Sequence, residues 1–212
     1  MPSIDFKVYL ISDRTKTLGR PLSQVIGEAG RAGIAAVQFR EKDLTLREQF
    51  ELASEIRSIA KQHKMQFFVN DRVDLCLALD AEGVHLPSSG FPVTVAREIL
   101  GGSKLIGVSC HSMEEVQRAE WEGADFALLG PVYDTPSKRS YGLPLGIDVF
   151  KKVRRSAAIP LFAIGGVDRS KLKEVIDAGA DGVAVISAVL SSPDVYRECR
   201  QLIDEIKRLQ GV

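Results

Sequence analysis

Polar residues recur directly behind short apolar runs in this sequence, and several are of types that bind anions, hold a metal or move protons. In QFREK, strand alternation would turn Gln38, Arg40 and Lys42 to one side. There they offer amide, guanidinium and ammonium donors to phosphate or diphosphate oxygens. A charged strand end balanced by Glu41 and Asp43 would use the same residues equally well. Asn70 and Asp71 present an amide and a carboxylate that could serve a divalent ion shared with substrate phosphate, or could form an Asn-Asp turn capping the helix that begins at RVDLCLALD. Gly165 and Gly166 in AIGGVDRS, with Ser187 ending VIS, allow the backbone to approach an anion closely at the start of a following helix. A tight turn that needs glycine only for its conformation is the alternative there.

His111 in SCHSMEEV follows the run that ends near Ser109. It precedes a helix for which Ser112 is a cap and Glu115 lies three residues on. An imidazole there can exchange protons near neutral pH, or be a polar loop residue without a role. Thr135, Ser137 and Lys138 share the DTPSK loop, where Lys138 is either an anion ligand or a solvated charge. His85 lies inside an apolar run and reads as a satisfied core residue, and His63 sits at a helix end.

These residues need a scaffold that brings strand ends together. Eight β-branched runs supply it: residues 6–12, 34–40, 65–70, 83–86, 104–109, 125–130, 160–165 and 181–187. Amphipathic segments such as PLSQVIGEAGRAG, LREQFELASEIRSIAKQHK, SMEEVQRAEWEG and RSKLKEVIDAGA lie between them. A weak repeat places a small residue or glycine just before an apolar strand in AGIAAVQFR, AEGVHL, EGADFALLG and AGADGVAVIS. Alternating strands and helices imply a parallel sheet, and eight units close most simply into a (β/α)8 TIM barrel whose active site sits at the C-terminal strand ends. No GxGxxG follows the first strand, which argues against an open dinucleotide-binding sheet. The longest crossover, between strands six and seven, is where an extended loop should lie.

With 212 residues, 45% of them apolar, the expectation is one barrel domain over 1–212. Lys plus Arg equals Asp plus Glu at 28 each, so no global cationic field gathers nucleic acid or an anionic membrane, and any anion must be bound locally. The absence of a basic leader or long apolar run reads as cytoplasmic. Cys76, Cys110 and Cys199 are scattered and lack CxxC spacing, which fits buried thiols better than disulfides or zinc.

QFREK, NDRVDLCLALDAEGVHL, IGVSCHSMEE, GADFALLGPVYDTPSK, PLFAIGGV and AGADGVAVIS, in this order and spacing, resemble the thiamine phosphate synthase and TenI family along nearly the whole chain. The resemblance implies a barrel that binds a small phosphorylated thiazole, with a homodimer as the expected assembly and no nucleic acid or membrane partner. By matching position it assigns Gln38, Arg40, Lys42, Asn70, Ser109 and Lys138 to a pyrimidine diphosphate. Thr135, Ser137, Gly166, Ile186 and Ser187 fall to the thiazole phosphate, and Asp71 to Mg2+. Family synthases carry a second metal carboxylate where this chain reads Gly90, and HLPSSGFPVTVAR looks more like the TenI branch. The expectation is therefore a thiazole tautomerase that needs no cofactor and uses His111 to move the proton. A Mg2+-dependent thiamine phosphate synthase is the alternative, with a non-catalytic sensor of the same ligands third.

Overall fold

Hydrophobic strand centres and polar strand ends set where pairing stops. In the computed structural model, which describes residues 3–135 and 143–211, the strands are shorter than the apolar runs by a residue or two at most ends. They are β1 (Val8–Ile11), β2 (Ala36–Phe39), β3 (Gln66–Asn70), β4 (Gly83–Leu86), β5 (Leu105–Cys110), β6 (Phe126–Leu129), β7 (Leu161–Ile164) and β8 (Gly182–Val185). Each pairs in parallel with the next, and β8 returns to β1 through Leu10 opposite Val185, so the eight described strands form a closed barrel. The expected (β/α)8 architecture is observed.

The crossovers are helical: α1 (Leu22–Arg31), α2 (Leu46–Gln62), α3 (Val73–Ala78), α4 (Val93–Leu100), α5 (Met113–Trp121), α6 (Ile147–Ser156) and α7 (Leu172–Asp177). A short α8 (Ser187–Leu190) and a long α9 (Val195–Gln210) follow β8. Local chemistry sets their ends. Thr45 and Glu48 form a reciprocal capping box on α2, and Ser112 accepts from the Glu115 N–H at the start of α5. No helix among the described residues is long and apolar enough to cross a membrane.

The core has two compartments. Outward-facing strand residues pack beneath the helices, while the barrel interior is filled from Phe6, Tyr9, Phe68, Phe126 and Phe162. These rings meet largely edge to face; Tyr9 and Phe126, for example, lie with centroids 5.6 Å apart at 82°. Such bulk fits because glycine occupies facing strand positions. A β-carbon at Gly107 would sit 2.3 Å from the Phe126 ring. The aromatic plug closes the barrel below its mouth, leaving the C-terminal strand ends to carry polar groups. Cys76, Cys110 and Cys199 are free and buried, and burial pushes their thiols up to about 11, 12 and 12.

Candidate active site

The first layer above the plug is polar. Gln38 projects from β2 into the barrel, almost fully buried, and its amide donates to the Tyr9 hydroxyl over 3.3 Å. Burial raises the Tyr9 phenol well above its ordinary range, so it stays protonated. Across the barrel, His85 on β4 lies between the Tyr9 and Phe126 rings, with Nε2 3.0 Å from Ser109 Oγ on β5. Burial drives the imidazole down to about 3, so it is neutral at physiological pH. Its Nδ1 has no hydrogen-bond partner, which departs from the expectation of a satisfied core histidine.

The next group comes from the β1 and β2 ends. Strand pairing of β2 stops at Phe39; Arg40 is half-buried, and Lys42 lies exposed in the turn that follows. Glu41 turns inward instead. It is 4% exposed, accepts from Ser12 Oγ at 2.7 Å and from the Arg14 N–H at 3.1 Å, and faces the Arg14 guanidinium at 3.4 Å. Ser12 Oγ in turn accepts from the Arg40 N–H at 2.8 Å, and Arg14 forks onto Asp43 at 2.6 and 2.8 Å. One buried carboxylate thus ties the first two loops together beneath Arg40. Sequence reasoning placed Glu41 only as a counter-charge and missed Ser12, since nothing local marks either as buried.

Asn70 ends β3, pairing with His85, and Asp71 follows in the left-handed region at φ 64°. The Asp71 N–H donates to the His85 carbonyl at 2.9 Å, which holds that turn. Neither residue caps α3, whose first turn has no side-chain cap, so the capping alternative is not what the turn does. The loop after β4 brings Gly90 against this carboxylate: a β-carbon there would lie 3.0 Å from Asp71 Oδ1. Asp71 is the carboxylate at this point, and no group of three His, Cys, Asp or Glu side chains able to hold a metal occurs among the described residues. A Mg2+ ion bound jointly with substrate phosphate needs only one or two protein carboxylates, so Asp71 is compatible with such an ion.

On the opposite rim, Gly165 and Gly166 follow β7 with φ of 92° and 67°, values that favour glycine. They also allow the β6 loop to cross closely; a β-carbon at Gly166 would sit 2.7 Å from Tyr133 Cβ. The Tyr133 N–H donates to the Gly165 carbonyl at 3.0 Å, and its hydroxyl donates to Glu174 at 2.9 Å. Half-buried Thr135 follows in the same loop, and exposed Gly166 and Ser187 face solvent at the mouth, Ser187 opening α8 after Ile186. Ser137 and Lys138 lie outside the described residues. His111 is exposed at the β5 end, where Nδ1 donates to the Gly130 carbonyl at 2.5 Å and its N–H donates to Glu115 at 2.6 Å. With Nδ1 so engaged, Nε2 is the ring nitrogen left to accept.

Comparison with known proteins bears on which chemistry this rim performs. Residues 8–189 match the TMP-TENI family, described as thiamine monophosphate synthase. A Geobacter sulfurreducens protein with a provisional thiamine-phosphate synthase name is 45% identical over 203 residues, covering 96% of this chain and 95% of that one. The thiamine-phosphate synthase of Clostridium botulinum is 38% identical over 200 residues, 94% of this chain and 98% of that one. The solved thiamine phosphate pyrophosphorylase of Pyrococcus furiosus superposes with a TM-score of 0.88 at 36% identity, covering 96% of each chain. These relatives overturn the tautomerase expectation, and none of them favours the TenI branch. That expectation weighed the carboxylate absent at Gly90 too heavily, because an ion that also takes substrate phosphate oxygens does not require two. The proton-shuttle role given to His111 rested on that expectation.

Proposed function

The chain belongs to the thiamine monophosphate synthase (TMP-TENI) family and is an enzyme of thiamine biosynthesis, and from that premise we propose that it is a transferase joining a hydroxymethylpyrimidine diphosphate to a thiazole phosphate. The observation that carries this reading is the 36–45% identity, over nearly the whole chain, to proteins bearing the thiamine-phosphate synthase or pyrophosphorylase name.

In this reaction the thiazole nitrogen forms a bond to the pyrimidine's methylene carbon, the carbon–oxygen bond to diphosphate breaks, and diphosphate departs with the electron pair. Two anions must therefore be held, one at each side of the mouth. Arg40 and Lys42, with Asn70 beside them, and Lys138 by its position in the sequence, form the cationic and amide set for the departing diphosphate. Gly166 and Ser187 offer backbone and hydroxyl donors to the thiazole phosphate, and Thr135, Ser137 and Ile186 complete that side. Gln38 and Ser109 line the floor beneath the pyrimidine. Asp71 would hold Mg2+, which supplies positive charge against the diphosphate as it leaves. The aromatic plug keeps water from entering beneath the reacting carbon, where it would compete with the thiazole nitrogen.

The test is to supply both phosphorylated substrates with Mg2+ and measure thiamine phosphate and released diphosphate. Equal amounts of both products, lost on chelation with EDTA and restored by Mg2+, are the expected result; no thiamine phosphate would sink the reading.

A further inference from the structure

Three buried side-chain polar atoms among the described residues lack a hydrogen-bond partner, and one of them, His85 Nδ1, lies inside the barrel directly behind a residue of the mouth. The ring's other nitrogen is 3.0 Å from Ser109 Oγ. A neutral imidazole carries one proton, so the pair has two arrangements. Either Nε2–H donates to Ser109 and Nδ1 is left as an unpaired acceptor, or Ser109 donates to Nε2 and a bare N–H is buried at Nδ1. Buried orphan donors are rarer in proteins than under-satisfied acceptors. The surroundings favour the first arrangement, because Nδ1 abuts the Gly107 backbone, where a β-carbon would come within 2.6 Å. A Cα–H can meet a lone pair there, but an N–H would find nothing to accept it.

We propose that His85 is a positioning residue that carries its proton on Nε2 and thereby sets Ser109 as a hydrogen-bond donor toward the substrate. Ser109 is half-buried, and among the described residues His85 is its side chain's hydrogen-bond partner. A serine that accepts from the imidazole keeps its own proton for a second group. This matters because diphosphate oxygens and unprotonated ring nitrogens are acceptors only. A serine committed to donating into His85 would present them with lone pairs. The identity of the acceptor, an atom of the pyrimidine diphosphate, rests on the synthase reading; the direction of the His85–Ser109 bond does not.

The experiment has two arms. Long-range proton–nitrogen NMR on the 15N-labelled full chain reads the His85 tautomer directly, and Nε2–H is expected; a proton on Nδ1 overturns the proposal. Steady-state kinetics then compare His85→Gln, whose amide retains an N–H donor, with His85→Leu, which has none. Leucine should raise KM for the pyrimidine diphosphate roughly tenfold, the size of one lost hydrogen bond, while glutamine stays within about threefold of the parent and KM for the thiazole phosphate is unchanged in both. Equal losses in the two variants, or equal rises in both KM values, would mean that His85 acts by packing alone. If His85→Leu does not fold, the tautomer and the glutamine variant still decide. A chain that makes no thiamine phosphate yet carries the Nε2 proton refutes the synthase reading and retains the hydrogen-bond direction.

Discussion

Two residues show how a single buried group governs this site. Glu41 gathers the Ser12 hydroxyl and the Arg14 backbone onto one carboxylate, and Ser12 passes the constraint to the Arg40 N–H. Glu41→Gln keeps the shape but removes the charge that these donors face, at a cost of about 1.5–3 kcal/mol. We expect KM for the pyrimidine diphosphate to rise more than kcat falls, since the Ser12 hydroxyl that holds the Arg40 N–H is itself held less firmly while the reacting groups stay in place; steady-state kinetics with each substrate varied in turn will show this. His85 makes a second prediction, in pH. Its folded-state pKa is about 3 against an ordinary 6.5. Between these values the unfolded chain binds the extra proton, so stability rises with pH across that window and is lost as pH falls from 6.5 toward 3. At pH 5 this costs about 2 kcal/mol relative to pH 7. His85→Gln has no such group. The stability difference between parent and variant, measured by urea unfolding, should therefore shift in the variant's favour by about that amount at the lower pH.

At the level of elements, the weak sequence repeat has a physical counterpart at the end of the barrel opposite the site. Glu82, Asp125 and Asp181, each one residue before β4, β6 or β8, accept from a backbone N–H of the preceding strand: Phe67, Ile106 and Leu161 at 2.7, 2.6 and 2.8 Å. Each also meets an arginine from α2, α4 or α6, namely Arg57, Arg97 and Arg154. The same clamp thus secures strand to strand and strand to helix in alternate units. Asp125→Ala leaves the Ile106 N–H without its acceptor and removes the Arg97 ion pair, though Arg97 keeps the Gly101, Lys104 and Gly123 carbonyls, and we expect a loss of about 2 kcal/mol. Lying at the N-terminal strand ends, it should leave kcat/KM unchanged, so a lowered Tm with intact turnover is the expected result. A matching fall in turnover at temperatures where the variant is folded would contradict that separation.

On the scale of the whole molecule, the barrel is a shell closed around aromatic rings, and its closure depends on missing side chains. Gly107 faces Phe126 and His85 together. Gly107→Ala would force both rings aside, at about 3 kcal/mol for overpacking in a closed interior, or a fall of roughly 6–12 °C in Tm. Because His85 is one of the two displaced rings, the alanine variant should also weaken pyrimidine diphosphate binding beyond what Asp125→Ala does at equal stability. Isothermal titration of both variants, below their melting range, makes that comparison.

The barrel itself was legible from the chain because its determinants are local and ordered. Apolar runs at strand length, amphipathic segments between them and glycine or a small residue before the strands specify alternation, and alternation in one chain leaves little choice but parallel pairing with helical crossovers. The same order placed Arg40, Asn70, Gly166 and Ser187 at one rim and Gln38 and Ser109 in the strands just beneath it, since the last residues of a parallel strand and those just past it lie toward the C-terminal face whatever their neighbours are. What only the tertiary structure decided are contacts between strand ends far apart in sequence: Glu41 folded inward under Ser12, Asp71 set against Gly90, and His85 bonded to Ser109 on one side and bare against Gly107 on the other. Burial and hydrogen-bond direction are properties of pairs brought together by closure, and a histidine inside an apolar run reads the same whether its second nitrogen is satisfied or not.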